Sequence, residues 1–334
     1  MLRPEPKGRA MRRRELITLL GGVALSWPSA ARAQQKTMPV LGYVATDMRS
    51  AGPALAIVSK GLAELGYVEG QNFRFNLLVV DGIAHYPAAF HELVDQNVAT
   101  IVTTTTAQLE AAKAATQSIP VVFSMGSDPV ERGFVTSLNR PGGNITGVFN
   151  LNTPLTGKRL EILREMVPSL SKFAFLTNPR LSVSKDETRQ VQVAAQLLGL
   201  NLLIVNAFNL DEVEPAFEAS VRETAGGIII GTDATLSGIP KQLAALTARY
   251  RLPAVYWEDK PVREGGLVSY GADFPAVFRL QSSYIVRILK GEKPADLPVQ
   301  QATMTKLVIN LKAAKSLGIT VPTSLLGRAD EVIE

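Results

Sequence analysis

Apolar residues along this chain come in two alternating rhythms. Short continuous runs, such as Val40–Ala45 (VLGYVA) and Phe173–Leu176 (FAFL), read as buried strands. Between them the apolar positions recur every three or four residues. Leu55, Val58, Leu62 and Leu65 form one such stripe, the face of an amphipathic helix. The first half predicts strands at Val40–Ala45, Phe73–Val80, Thr100–Thr103, Val121–Phe123 and Ile145–Phe149. Helices are predicted at Ala54–Leu65, near Pro87–Gln96 and at Ala107–Thr116. The second half predicts strands at Phe173–Leu176, Leu200–Val205, Gly227–Ile230, Pro253–Tyr256 and Leu267–Tyr270. Its helices are predicted at Lys185–Leu198, Asp211–Glu223 and Ile239–Tyr250. A helix over Phe274–Leu289 and a strand running into a helix over Leu307–Leu317 complete the pattern. Such alternation gives parallel sheets covered by helices.

The two halves line up. Leu65-Gly66 matches Leu198-Gly199 at an offset of 133, Ile101-Val102 matches Ile228-Ile229 at 127, and Pro120-Val121-Val122 matches Pro253-Ala254-Val255 at 133. A repeat this long exceeds any solenoid unit. The expected fold is α/β, with two similar doubly wound parallel-sheet lobes joined by a hinge. Gly and Pro punctuation over Asn139–Pro154 suits one crossing between lobes, and Tyr270-Gly271 suits a second. The expected division is 34–149, completed by about 271–300, and 150–270, with the tail from 301 as a candidate completion of the second lobe.

The N-terminus changes how the charge is read. Arg12, Arg13 and Arg14 precede an apolar run from Leu16 to Trp27, and Ala31-Arg32-Ala33 follows as a small-x-small cleavage site. This is the layout of a secretory signal peptide. The run is shorter than the ~20 residues of a membrane span. Arg13-Arg14-Glu15-Leu16-Ile17 also resembles a twin-arginine signal, with Sec export as the alternative, and Met11 is a second candidate start. Residues 1–33 hold seven of the 35 basic and two of the 30 acidic residues, so 28 of each remain after cleavage. The formal charge of +5 therefore leaves with the signal, which argues against nucleic acid as a partner. With no cysteine there is no disulfide, thiolate metal site or lipid-anchored cysteine. A soluble periplasmic protein is expected.

Ligands of open parallel sheets bind beyond the carboxyl ends of the strands. There the chain places Thr46 and Asp47, then Thr104, Thr105 and Thr106, then Ser124, Gly126 and Asp128. In the second half come Asn178, Asp233, Tyr256, Trp257, Tyr270 and Asp273. Thr106, Asp128 and Asp273 also suit helix capping. The threonine run at a helix start suits a carboxylate, Asp128 or Asp233 an ammonium group, and Trp257, Tyr256 and Tyr270 a ring. No catalytic constellation emerges. His85 and His91 sit on helical stretches rather than strand ends. Gly-x-Ser-x-Gly, Walker A, Gly-x-Gly-x-x-Gly and His-Glu-x-x-His are all absent. The expectation is a binding protein without enzyme activity, cofactor or metal.

Several long segments carry a family resemblance. They are RRELITLLGG (13–22), LGYVEGQN (65–72), DPV (128–130), LNRPGGNITG (138–147), RLEILREMV (159–167), GGLVSYGA (265–272), ILKGEKPADLPVQQ (288–301) and LVINLKAAKSL (307–317). Together they resemble the ABC-transporter substrate-binding proteins of the tryptophan/tyrosine-binding type, which have the type I periplasmic binding protein fold. The resemblance implies a monomeric receptor that captures a small molecule between two lobes by hinge closure. It also implies delivery to an inner-membrane permease driven by a cytoplasmic ATPase, with an aromatic amino acid or related aromatic acid as ligand. It places the contacts to the ligand's amino and carboxylate groups on Thr104, Thr105, Asn178 and Asp233. Two rival readings use the same fold. A sensor would present its solute to a membrane receptor, and a transcriptional regulator would need a helix-turn-helix and a basic surface that this chain lacks.

Overall fold

The computed structural model describes residues 38–334, and the predicted signal peptide with its alternative start at Met11 lies outside the described residues. Two sheets organise the chain. The first half supplies strands β1 (Val40–Ala45), β2 (Arg74–Val79), β3 (Thr100–Thr103), β4 (Val121–Met125) and β5 (Ile145–Asn150). Helices α1 (Met48–Glu64), α2 (Tyr86–Asp95) and α3 (Thr106–Ala115) connect them. After α4 (Leu155–Met166) the second half repeats the scheme with β6 (Lys172–Thr177), β7 (Asn201–Asn206), β8 (Ile228–Ile230), β9 (Ala254–Tyr256) and β10 (Val268–Ala272). Its helices are α5 (Ser182–Leu197), α6 (Val213–Arg222), α7 (Ala234–Ser237), α8 (Pro240–Arg249) and α9 (Lys260–Arg263). The tail adds α10 (Phe274–Leu289), β11 (Gln300–Ala302), β12 (Thr305–Asn310), α11 (Leu311–Leu317), α12 (Thr323–Leu326) and β13 (Glu331–Ile333).

The first sheet runs β11-β5-β4-β3-β1-β2 and the second β13-β12-β10-β9-β8-β6-β7. Without the tail strands, each has the order second, first, third, fourth, fifth. The repeat seen in the sequence is therefore structural. Ile101 pairs with Val121 in the first sheet, and Ile228 with Ala254 in the second. The first sheet is parallel throughout, and the second departs only where β12 runs antiparallel to β10. Strands buried on both faces are apolar end to end, as the run Ile228–Ile230 illustrates.

The chain passes between the sheets three times: from β5 to α4, from β10 to α10, and from β11 to β12. Helix α10 packs on the first sheet, putting Val277, Phe278, Tyr284 and Ile285 into a core with Leu41, Val58, Leu62 and Val102. Its buried Gln281 donates from Nε2 to the carbonyls of Thr103 (2.8 Å) and Val122 (3.0 Å), tying the helix to β3 and β4.

Two of the longer helices differ from the sequence reading. Helix α1 begins at Met48 rather than Ala54, because Asp47 caps it and the helix continues through Gly52-Pro53. Pro53 forfeits one backbone hydrogen bond there. Helix α4 was not predicted. Its buried face includes Arg159 among Leu160, Ile162, Leu163 and Met166, so its apolar period is masked by charge. Among the described residues no helix is long and apolar enough to cross a membrane.

Candidate functional site

A cavity of about 480 Å³ lies where the carboxyl ends of both sheets face one another. Its size is ordinary for a small-molecule site. From the first sheet come Thr46 after β1, Thr104–Thr106 after β3, Ser124 and Gly126 at the end of β4, and Asn150, Asn152 and Thr153 at the end of β5. From the second come Thr232 and Asp233 after β8, Trp257 and Glu258 after β9, and Gly271 and Asp273 at the end of β10.

The threonine run is held by a capping box. Thr105 Oγ1 accepts from the Gln108 amide, while Gln108 Oε1 accepts from the amides of Thr104 (2.7 Å) and Thr105 (3.2 Å). Gln108 Nε2 reaches back to the Val44 carbonyl at 2.7 Å, and Thr104 Oγ1 shares a 2.6 Å hydrogen bond with Tyr43. The two amides that open α3, those of Thr106 and Ala107, are left without a protein acceptor among the described residues, and both residues line the cavity. Tyr86, also in the lining, has a phenol pushed up to about 12, chiefly by burial, so it stays protonated as a donor.

On the opposite side, Asp233 is 7% exposed. It caps the short helix α7, accepting from the Thr235 amide at 2.7 Å, and receives Asn178 Nδ2 at 3.1 Å. Every cation in the lining is paired: Lys260 with Glu258 (3.2 Å), Arg263 with Asp259 (2.9 Å) and Glu331 (2.8 Å), and Lys306 with Asp259 (3.6 Å) and Glu331 (2.8 Å). Asp233 and Asp273 enter no ion pair among the described residues, and both line the cavity. Burial pushes Glu258 up against the pull of Lys260. The cavity therefore carries uncompensated negative charge on its second-lobe side, where a buried carboxylate calls for a cation.

One wall is apolar. Pro53, Ala54 and Ile57 of α1 join Phe274 and Phe278 of α10 and the indole of Trp257. Trp257 meets Phe274 edge-on at 5.3 Å, and Phe274 lies 5.9 Å from Phe278. The hydroxyls of Ser182 and Ser269 are buried without a partner among the described residues and also line the cavity.

The structure thus brings together Thr46, Thr104, Thr105, Ser124, Gly126, Asp233, Trp257 and Asp273. Five other candidates lie outside the lining. Asp47 caps α1 and binds Arg49 at 2.9 Å. Asp128 accepts from the Val130 amide at 2.7 Å in a turn. Asn178 stands behind Asp233 as its donor. Tyr256 is buried in the second-lobe core, its hydroxyl 3.0 Å from Thr247 and its pKa raised by burial. Tyr270 packs into the core below, and its carbonyl accepts from Arg159. In a strand alternate residues face opposite ways, so Ser269 and Gly271 reach the cavity while Tyr270 cannot. Sequence reasoning missed Tyr86, Asn150, Asn152, Thr153 and Phe274. Asn150 and Asn152 follow β5 just as Ser124 and Gly126 end β4, and reading 139–154 as a linker hid them.

Comparison with known proteins gives one family and a consistent set of neighbours. The model of the ABC transporter substrate binding protein family matches residues 45–333. A tyrosine-binding protein of Clostridioides difficile is 23% identical over 259 residues, 77% of this chain and 74% of that protein. Among solved structures, a conserved domain protein from Vibrio cholerae aligns with a TM-score of 0.80 at 25% identity, covering 88% of this chain and 99% of that one. An ABC domain in complex with L-Trp from Streptococcus pneumonia aligns with a TM-score of 0.78, at the same identity and coverage. A myo-inositol-bound ABC transporter solute binding protein from Bacillus halodurans shares the fold at 14% identity and a TM-score of 0.59, with 84% and 98% coverage.

Proposed function

Since the chain belongs to the ABC transporter substrate-binding protein family, we propose that it is exported to the periplasm and captures an aromatic amino acid between its lobes for an inner-membrane permease with a cytoplasmic ATPase. The jaws in this reading are 34–149 with 271–300, and 150–270 with the tail. Pairing of β11 with β5 and of β12 with β10 supports that division, with the last crossing between Ala302 and Thr305.

One observation carries the ligand class. Asp233 is a nearly buried carboxylate in the cavity with no cation paired to it among the described residues, so it is the seat of the ligand's ammonium group. The ligand's carboxylate is received by neutral donors: the free amides opening α3, with the Thr105 and Thr106 hydroxyls beside them. The wall of Trp257, Phe274, Phe278 and Ile57 takes the ring. Names of relatives agree, one being a tyrosine-binding protein and another holding L-Trp. A ligand touching both jaws favours the closed arrangement by its differential contacts, and the closed shape is what the permease reads.

Trp257 is the one tryptophan of residues 34–334, so its fluorescence reports on the cavity. Protein freed of carried-over ligand by unfolding and refolding is titrated with L-phenylalanine and L-tyrosine, and by calorimetry with L-tryptophan. Saturable binding is expected, weakened by about 2–5 kcal/mol in Asp233→Ala, and absent for 3-phenylpropanoate, which lacks the amine. Equal binding of 3-phenylpropanoate, or an Asp233→Ala protein that binds normally, overturns the reading.

A further inference from the structure

Beneath the cavity floor lie two ions that the proposed binding does not use. Arg159 of α4 and Glu187 of α5 are both 0% exposed, their nearest charged atoms 3.6 Å apart. Most of their hydrogen bonds go elsewhere. Arg159 Nε donates to the Tyr270 carbonyl at 2.8 Å, and NH2 donates to the Asn152 carbonyl (2.8 Å) and to Asn152 Oδ1 (2.6 Å). Asn152 lies on the passage from β5 to α4, and Tyr270 just before the passage from β10 to α10. One guanidinium therefore holds two of the three crossings, using the rigid fork that distinguishes arginine from lysine. Asn152 Oδ1 also accepts from the Ala272 amide at 3.4 Å, closing the crossings onto each other.

Glu187 faces the other way. It accepts from the Thr232 amide (2.9 Å) and hydroxyl (2.6 Å), and Thr232 Oγ1 receives Asn152 Nδ2 at 3.1 Å. Thr156 lies between the ions, its hydroxyl accepting from Arg159 NH1 (3.1 Å) and sharing its proton between the Thr153 carbonyl (2.8 Å) and Glu187 (3.2 Å). Both end points, Asn152 and Thr232, line the cavity. A buried ion pair is a poor stabiliser, because desolvation offsets the attraction. Here it connects two binding-surface residues to two crossings.

We propose that Arg159 and Glu187 are positioning residues that couple the orientation of Asn152 and Thr232 in the cavity to the angle between the lobes. The proposal rests on the reading of the cavity as a closing ligand site. A ligand that bonds Asn152 or Thr232 pulls on the crossings through this pair, and the pair sets how far the empty protein opens.

The test compares Glu187→Gln, Arg159→Lys and Thr156→Val, the last outside the cavity lining and the mildest for folding. Small-angle scattering of the ligand-free protein, well below its melting temperature, is expected to give a larger radius of gyration in each variant. Glu187→Gln and Arg159→Lys should be non-additive when combined. Affinity for L-tyrosine should fall roughly 5- to 150-fold, the span of an ordinary intersite coupling. In Asp233→Ala the affinity falls while the ligand-free radius stays at the wild-type value. Unchanged ligand-free scattering in all three variants overturns the positioning role, whether or not L-tyrosine binds. If Asp233→Ala binds L-tyrosine like the wild type while the three variants scatter differently, the ligand reading fails and the coupling stands.

Discussion

Gly271 shows how tightly single residues are constrained at the cavity. A Cβ there would lie 1.9 Å from the Trp257 carbonyl oxygen and 2.9 Å from Asn152 Oδ1. Backbone cannot yield as a flexible side chain can, so Gly271→Ala must push β9 and β10 apart where they carry Trp257. The expected cost is at least about 1–3 kcal/mol, measured by chemical denaturation, with an altered Trp257 emission in the folded state. At this scale the sequence was partly legible. Hydroxyl and acidic residues at strand ends led to Thr104, Thr105, Ser124 and Asp233, because in a parallel sheet strand ends all face one way. Tyr256 and Asn178 were read as ligand contacts because type and position agree with that role. What decides their place is the direction of one side chain and the neighbour of another, Thr247 below and Asp233 in front. Arg159 and Glu187 gave no signal at all, since charges on amphipathic helices read as solvated.

At the scale of elements, the last strand is fastened by charge as well as by Ile333 against the core. Glu331 of β13 receives Arg263 at 2.8 Å and Lys306 at 2.8 Å, and the three residues of that strand are only partly covered. Arg263 first, and Lys306 second, hold Glu331 at about 2, below its ordinary 4.5. The folded state thus binds this proton more weakly than the unfolded chain. Its contribution to stability is complete above about pH 4.5 and is lost as pH falls toward 2. The melting temperature of Glu331→Gln should lie below that of the wild type at neutral pH, and the gap should shrink through that window. A gap independent of pH contradicts the assignment. Elements with long periodic faces, such as α10, were legible to the residue, because burying one stripe leaves the pattern in the sequence. The strands β11 and β13, at three residues each, were not. They are strands only because β5 and β12 offer them an edge.

For the whole molecule, the three passages between sheets have a consequence in time. The first lobe is begun by residue 40, yet its core waits for Val277, Phe278, Tyr284 and Ile285, and its outer edge for Gln300–Ala302. A ribosome delivers these only near the end of synthesis. The lobe begun first is therefore completed only after most of the second has been made, and its apolar surface stays uncovered while that half is translated. Chains arrested near residue 270 should remain protease-sensitive throughout residues 40–150, whereas released full-length chains should resist. During its own synthesis the protein is thus a long-lived client for whatever shields nascent apolar surface, and the core of its first lobe is timed by the arrival of a late helix.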